Sequence, residues 1–311
     1  MSSSASLRAP SALPRGLPGD IRQFLEHYPS QRVDKSKSAN LLFYQNKGAG
    51  RPSRHSVEGL QDELRENYGE LESSHSFIQW FFPIREQGMN WEAQPLQPHE
   101  IEGIKSDPKA MARRLESYKI MLDFYGMRLV DEETGQLARS EEVAPSAASW
   151  RARYANLTRN MHNFLRITRI MKSNSEFGQE HLNAPFLLFF LVEQERDELN
   201  SSSLTRSMDN YWRWCIRDDE EREFVGEMVE KVREGGGEWT EEMYVEALER
   251  RKKTWSFAVA EEDGKKEEGV ETQEGEAGAK EGEGEGKRER DETEMSDSKK
   301  AKTDGEKDPE E

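Results

Sequence analysis

Apolar residues three and four positions apart recur in one segment of this chain after another, and that spacing predicts helices rather than strands. Residues 57–71 and 111–125 show the spacing, and residues 146–172 carry its longest run. The members of that run are Trp150, Tyr154, Leu157, Met161, Phe164 or Leu165, Thr168 and Met171. Residues 186–192 are apolar on every side, which is typical of a helix at the centre of a bundle. We therefore expect an all-α, multi-helix domain.

Capping residues and helix breakers divide this pattern into elements. Asp107 precedes a proline, and this pairing of an N-cap with a first-turn proline starts a helix that Gly126 should end. Residues 127–130 and 136–138 then flank a polar turn that contains Gly135. A glycine there can take the positive φ that a tight turn needs, so the pattern predicts one small β-hairpin beside the helices.

Composition divides the chain into four regions. Residues 1–39 are rich in Ser, Pro and Ala and are expected to be mostly disordered, with one apolar island that suits a helical turn. Residues 40–234 form the predicted helical domain, and residues 235–260 a glycine linker with an accessory helix. Residues 261–311 are expected to be a disordered tail. The apolar island within residues 1–39 consists of Ile21, Phe24, Leu25 and Tyr28.

Charge supports this division. The chain has a net charge of −17, and residues 261–311 contain 21 acidic and 10 basic residues with almost no hydrophobic ones. Such a tail cannot bury enough apolar surface to offset the entropy lost on ordering. Residues 1–260 carry only the remaining −6 and have the composition of a folded domain.

Several functional classes are disfavoured by what the sequence contains. Cys215 is the single cysteine, so neither an intrachain disulfide nor a cysteine-based zinc site can form. The longest strongly apolar run has seven residues, whereas a membrane-spanning helix needs about 20. The N-terminus lacks the apolar core of a signal peptide, so secretion is not expected. We expect a protein without enzymatic activity, cofactor or bound metal. Its histidines are expected to bond to backbone groups or carboxylates, and a metal site that combines His75 with His162 is the weaker alternative.

Arginines and a lysine between Arg159 and Lys172 make one helix unusually basic. This face could bind nucleic acid phosphates or an acidic peptide, or it could pair with the acidic surplus on neighbouring helices. The sequence favours internal pairing, because a negatively charged protein with an acidic tail is a poor partner for nucleic acid.

Two short basic clusters in the tail have the spacing of a bipartite nuclear import signal. Ten residues separate the first cluster from the second, which allows both to occupy acidic grooves of an import receptor. Lysine pairs also arise by chance in such tails. A second candidate, residues 250–253, falls on a predicted helix face. The tail clusters consist of Lys287, Arg288, Lys299, Lys300 and Lys302.

Six motifs together resemble the opioid growth factor receptor conserved-domain family, over roughly residues 40–232. The most specific is the aromatic segment, which we define as residues 75–90 (HSFIQWFFPIREQGMN). The others are residues 40–46 (NLLFYQN), 118–126 (YKIMLDFYG), 129–135 (LVDEETG), 162–171 (HNFLRITRIM), and Tyr211-Trp212 followed by Arg217-Asp218.

The resemblance implies a soluble helical domain that is unrelated to seven-helix opioid receptors. It also implies a receptor for methionine enkephalin that restrains cell proliferation and is found in the nucleus and cytoplasm, or peripherally at the nuclear envelope. One departure is the tail: vertebrate family members carry imperfect repeats, whereas residues 261–311 are short and rich in Glu, Gly and Lys.

Two hypotheses follow for function. The first is a peptide receptor, because an apolar cleft with one carboxylate would suit the amine, phenol, aromatic ring and thioether of an enkephalin. The second is a nuclear scaffold that binds a protein or RNA partner through the Arg-rich helix 150–172. The aromatic residues could equally be plain core. The candidate ligand-binding residues are Trp80, Arg85, Glu86, His162, Arg166 and Arg169.

Overall fold

A computed structural model describes residues 13–141, 149–235 and 237–258. Over these residues the chain forms thirteen α-helices, two short 3-10 helices and one two-stranded sheet. The first helices are α1 (Gly19–Leu25), α2 (Ala39–Tyr44), α3 (Val57–Leu64), α4 (Tyr68–Ser73), α5 (Ile78–Phe81), α6 (Pro98–Lys105) and α7 (Pro108–Phe124). The strands are β1 (Met127–Asp131) and β2 (Gln136–Arg139). The remaining helices are α8 (Trp150–Arg159), α9 (His162–Glu176), α10 (Asn183–Glu195), α11 (Ser202–Asn210), α12 (Asp219–Arg233) and α13 (Glu241–Thr254), and the 3-10 helices are Glu180–Leu182 and Trp212–Cys215.

The all-α prediction is confirmed, and so is its single hairpin. Strands β1 and β2 pair antiparallel, and Gly135 takes a φ of +77° in the turn between them. At the preceding helix, the Asp107 side chain accepts from the amides of Lys109 and Ala110, at 2.9 and 3.3 Å. Gly126, with a φ of +85°, ends the turn after α7. Caps and glycines therefore set these boundaries, as expected.

Three predicted helices are each divided in the structure. The expected helix over residues 146–172 is two helices, α8 and α9, because Asn160 leaves the helical region with a φ of −104° and a ψ of 88°. Likewise, Glu66 takes a φ of +57° and separates α3 from α4. The apolar spacing from Leu204 to Cys215 also predicts one helix, but α11 ends at Asn210 and the chain continues as a 3-10 helix. A break of one to three residues leaves the apolar spacing almost unchanged, so spacing alone did not show it.

Helix α10 lies at the centre of the hydrophobic core, as its uniformly apolar sequence predicted. All its residues except the last are buried. It packs against α9, α12, α13, β2 and both 3-10 helices. The indole of Trp239 donates to the carbonyl of Leu188 at 2.9 Å, which fastens the segment before α13 to this helix.

Residues on both sides of the predicted domain pack into the same core. Ile21 and Phe24 of α1 are fully buried, and so are Tyr244 and Leu248 of α13. The packed region therefore begins before residue 40 and continues past residue 234. Residues 1–12 and the tail predicted to be disordered lie outside the described residues. None of the helices in the described part of the chain is both long and apolar enough to cross a membrane.

A pH dependence arises where α12 meets α13. Burial raises the pKa of the Glu221 carboxyl to about 7, against the attraction of Arg251 and with some help from Asp218. The unfolded carboxyl titrates near 4.5, so the folded state binds more protons between these values. The contribution of Glu221 to stability is therefore present at low pH and is lost as pH rises towards 8.

Between pH 5.5 and pH 8, the free energy of unfolding should fall in the wild type by about 2 kcal/mol more than it falls in Glu221→Gln. Urea denaturation at the two pH values measures both falls. Glu220→Gln, on the exposed side of the same helix, is the matched control and should behave as the wild type does. Equal falls in the wild type and Glu221→Gln would contradict this assignment.

Candidate ligand-binding region

The aromatic segment contributes its phenylalanine and tryptophan side chains to the core. Phe77, Trp80, Phe81 and Phe82 are all buried. The Trp80 indole donates to the carbonyl of Arg51 at 2.8 Å, and its ring centroid lies 5.4 Å from that of Phe43. Trp80 therefore has internal partners on both its polar and apolar sides, which agrees with the plain-core alternative.

Arg166 of α9 fixes the backbone just before the aromatic segment. Its guanidinium donates to the carbonyls of Leu71 and Ser74, each at 2.6 Å, and to Oδ1 of Asn163 at 3.0 Å. It also stacks over the Phe77 ring at 5.3 Å. Burial lowers the pKa of this guanidinium, which still remains charged at neutral pH. Helix α9 thus holds an irregular stretch of backbone whose carbonyls are not part of a regular ladder.

Arg169, one turn further along, continues this arrangement. It donates to the carbonyl of Phe82 at 2.8 Å, and the hydroxyl of Ser173 donates to the carbonyl of Pro83 at 3.0 Å. Burial lowers the pKa of Arg169 to about 10. The sequence led us to expect that these arginines pair with acidic side chains. Their partners here are mainly backbone carbonyls, because the segment they hold lacks hydrogen-bond partners of its own.

Arg85 and Glu86 both contact the N-terminal part of the chain. The Glu86 carboxylate accepts from the Tyr28 hydroxyl at 2.7 Å and from the Lys172 ammonium at 2.8 Å. Arg85 donates to the carbonyl of His27 at 2.9 Å, and its guanidinium lies 5.1 Å from the centre of the Tyr28 ring. Burial, followed by the nearby Glu86 charge, raises the pKa of Tyr28 far above its usual range, so the phenol remains a donor.

His162 lies at the start of α9 beside Glu72. Its Nε2 is 2.9 Å from Oε1 of Glu72, and its ring centroid is 5.3 Å from that of His75. Burial lowers the pKa of His162, although Glu72 opposes this shift. The structure thus brings the two histidines together. In the part of the chain it describes, however, no group of three or more His, Cys, Asp or Glu side chains is placed to hold a metal ion.

One small cavity and one open depression lie near these residues. An enclosed cavity of about 10 Å³ borders Tyr125 and Asn174, whose hydroxyl and Oδ1 have no protein partner. That space suits one water molecule and is far too small for a peptide. A depression of about 310 Å³ opens on the surface and is lined mainly by charged residues such as Arg65, Glu116 and Lys119. Neither is the apolar cleft with one carboxylate that a peptide receptor suggested.

Several large apolar side chains instead face outward, and we call four of them the exposed apolar face: Met89, Trp91, Met161 and Leu165. Met89 and Trp91 are 86% and 84% exposed, and Met161 and Leu165 are 61% and 74% exposed. Residues next to each pair contact the same short segment, residues 74–76. Asn90 donates to the carbonyl of Ser76 at 3.1 Å, and Arg166, next to Leu165, donates to that of Ser74.

Sequence reasoning did not identify this face. It placed Met161 within the buried stripe and left Phe164 and Leu165 as alternatives for one position. The structure buries Phe164, so Leu165 must point away from the core. Trp91 lies just beyond the aromatic segment, in a loop whose Pro, Gly and Asn content was the available signal for surface exposure.

The second candidate import signal, residues 250–253, is largely occupied by internal contacts. Arg251 pairs with Glu221 at 2.5 Å, Lys252 pairs with Glu133 at 2.8 Å, and Arg250 donates to the carbonyl of Phe257 at 3.0 Å. The bipartite clusters from Lys287 to Lys302 lie outside the described residues.

A model of the "Opioid growth factor receptor (OGFr) conserved region" matches residues 33–239. The chain belongs to this family. The match includes the exposed apolar face, the arginines of α9 and all of the aromatic segment, whereas α1 and α13 lie outside it. The six motifs that carried the resemblance therefore led to the correct family.

Individual relatives agree with this assignment. The "Opioid growth factor receptor" of Mus musculus is 36% identical over 200 residues, which cover 64% of this chain and 30% of the relative. The human protein of that name is 40% identical over 176 residues, or 56% of this chain and 25% of the relative. "Opioid growth factor receptor-like protein 1" of Mus musculus is 36% identical over 205 residues, which cover 65% of this chain and 42% of the relative. The matched region thus spans less than half of each relative. No solved structure matches the chain.

Proposed function

We propose that this protein is a non-enzymatic binding protein that takes a peptide ligand or protein partner on the exposed apolar face. One observation carries the proposal: four large apolar side chains, two of them more than four-fifths exposed, are sequence neighbours of residues that contact one segment, 74–76, within the family-matched region. Exposed apolar surface of this kind marks interaction sites, and Trp and Met are enriched at the centres of interfaces.

The family suggests the nature of the ligand. Relatives are named opioid growth factor receptor, so we propose a methionine enkephalin-like peptide as ligand and a role in regulating growth. The phenyl ring and thioether of such a peptide would contact Met89 and Trp91. The tail clusters from Lys287 to Lys302 support a nuclear context reached through an import receptor.

The alternative of a scaffold that binds RNA or protein through the Arg-rich helix has less support. Arg166 and Arg169 donate to internal carbonyls, and Arg153 pairs with Asp123 at 2.5 Å. Only exposed members such as Arg151 and Arg159 face solvent, which is a small basic surface for a nucleic acid partner.

Calorimetric titration of the full chain with methionine enkephalin tests the proposal, with the Tyr→Ala analogue of the peptide as a specificity control. We expect binding that Trp91→Ala weakens by about 10-fold or more, since an interface tryptophan often contributes 2 kcal/mol or more. Trp255→Ala is the matched control, because Trp255 is 91% exposed but lies after α13, outside the face.

Two results would contradict separate parts of this proposal. Absence of heat at high peptide concentration in the wild type would exclude this peptide as ligand. If the peptide binds the wild type and Trp91→Ala with equal affinity, the ligand binds elsewhere.

A further inference from the structure

A charged groove lies beneath the N-terminal helix. We define the α1 segment as residues 19–31. The α1 groove consists of Arg85, Glu86, Lys172 and Arg217, which contact this segment, and of Glu176, which pairs with Arg217. Lys172 and Glu176 expose only 1% and 4% of their side chains, and Arg217 exposes 11%. An ordinary helix–helix contact in a core is apolar, whereas this groove presents ionised groups to the helix that covers it.

Three side chains of the α1 segment are buried against the rest of the domain. Ile21 and Phe24 lie one turn apart on α1, and Tyr28 follows the end of this helix at Leu25. The Arg217 guanidinium lies 4.1 Å from the centre of the Phe24 ring, and the Tyr28 hydroxyl donates to Glu86. Two aromatic side chains, one on the helix and one just after it, thus anchor the segment in the groove.

Polar contacts fix the direction of the segment. Lys172 pairs with Asp20 at 2.9 Å near its beginning. Arg217 donates to the carbonyl of Phe24 at 3.1 Å, at its middle. Near its end, Gln31 donates to the carbonyl of Arg85 at 2.7 Å. The groove therefore recognises an acidic residue, two aromatic rings and the free carbonyls at a helix end.

The groove and the segment that fills it lie on different sides of one boundary in the sequence. Every groove residue lies within the family-matched residues 33–239, and the α1 segment precedes them. The region that the family model covers thus contains the groove and does not contain its occupant.

Backbone conformation also favours release of the segment. His27 and Tyr28 take consecutive positive φ values of 58° and 52°. The left-handed region is unfavourable for residues other than glycine, and a bulky residue such as tyrosine is uncommon there. Docking of Tyr28 against Glu86 and Arg85 holds this conformation, and undocking relieves it.

We propose that the α1 groove is a docking site for a short helix followed by a tyrosine turn, and that the α1 segment is its resident occupant, which a partner segment of the same pattern displaces. The pattern is an acidic residue followed at one, four and eight positions by an aliphatic residue, a phenylalanine and a tyrosine. This site is separate from the exposed apolar face, so each can fail without the other.

Hydrogen exchange on the unmodified full chain provides the first test. The amides of α1 should exchange through a local opening that leaves α9 and α10 closed, with protection factors at least about 100-fold lower than those of α10. If α1 has the same protection as α10, the segment leaves only on global unfolding and the proposal is wrong.

A labelled peptide that copies residues 18–32 provides the second test. It should bind the full chain carrying Phe24→Ala and Tyr28→Ala at least about 10-fold more tightly than the wild type, whose groove is filled. A peptide with the same two replacements is the control and should not bind. Failure of the wild-type peptide to bind a variant that still unfolds cooperatively would overturn the proposal. If that variant does not fold, hydrogen exchange on the wild type decides.

Discussion

Replacing Arg166 with methionine is expected to lower the free energy of unfolding by about 3–5 kcal/mol, because a buried charged donor is lost while its acceptors stay buried. Arg166 donates to the carbonyls of Leu71 and Ser74 and to Asn163. Methionine retains the apolar stem but supplies no donor. The backbone between α4 and α5, which leads into the aromatic segment, would lose its main attachment to α9.

Arg159→Met is the matched control for this variant. Arg159 is exposed on α8, so its replacement should change stability by no more than about 0.5 kcal/mol. Urea denaturation followed by circular dichroism measures both variants. A loss below about 1 kcal/mol for Arg166→Met would mean that water replaces the guanidinium at these carbonyls, and that the segment is held by its aromatic side chains instead.

Local signals explain which parts of the fold were predictable. Asp107 caps α7 through contacts with residues two and three positions away, and Gly135 serves a turn that its neighbours define. Such features depend on a few adjacent residues, so they can be read from sequence. The buried position of α10 was also predictable, because no face of it could lie in water.

Features that depend on distant residues were not predictable. The apolar island around Phe24 has no local reason to be ordered, and it folds because Glu86, Lys172 and Arg217 contact it. The division of α8 from α9 likewise leaves the apolar periodicity nearly unchanged. In both cases, tertiary contacts decide what the local pattern leaves open.

The candidate site shows the same limit. Trp80, Arg85, Glu86, His162, Arg166 and Arg169 were chosen because aromatic and charged side chains occur close together in sequence. The structure places all of them in one region around α9 but gives each an internal partner. Their assignment to a ligand stays a prediction. Residue type indicates polar function well, yet it does not distinguish a ligand from the protein's own backbone.

The motifs that identify the family therefore describe the fold more directly than the ligand. The aromatic segment is held by α9, and residues 40–46 begin with an asparagine that is buried against a carboxylate. The exposed apolar face holds the most exposed large apolar side chains that the structure describes in the matched region, and these contribute little to the core. Binding is best sought on residues that the fold does not need.

The carboxylate that holds the asparagine of residues 40–46, Asn40, belongs to Glu100. We expect Glu100→Gln to lower the free energy of unfolding by about 3–5 kcal/mol. Glu100 is fully buried in α6. It accepts from the amide and side chain of Asn40 at 2.9 and 3.0 Å, from the amide of Gln97 at 2.9 Å and from the side chain of Gln94 at 2.9 Å. A glutamine keeps the volume but points an amide at these donors, so at least one of them is left without an acceptor.

Glu102→Gln, at an exposed position of the same helix, is the matched control and should change stability by no more than about 0.5 kcal/mol. Denaturant unfolding compares the two variants, and hydrogen exchange at the Asn40 and Leu41 amides reports the junction of α2 with α6 directly. Those amides should lose protection in Glu100→Gln, because Glu100 also accepts from Leu41 at 3.3 Å. Unchanged protection would show that the aromatic contacts between Phe43 and Trp80 suffice to hold α2, and that the carboxylate is dispensable to the fold.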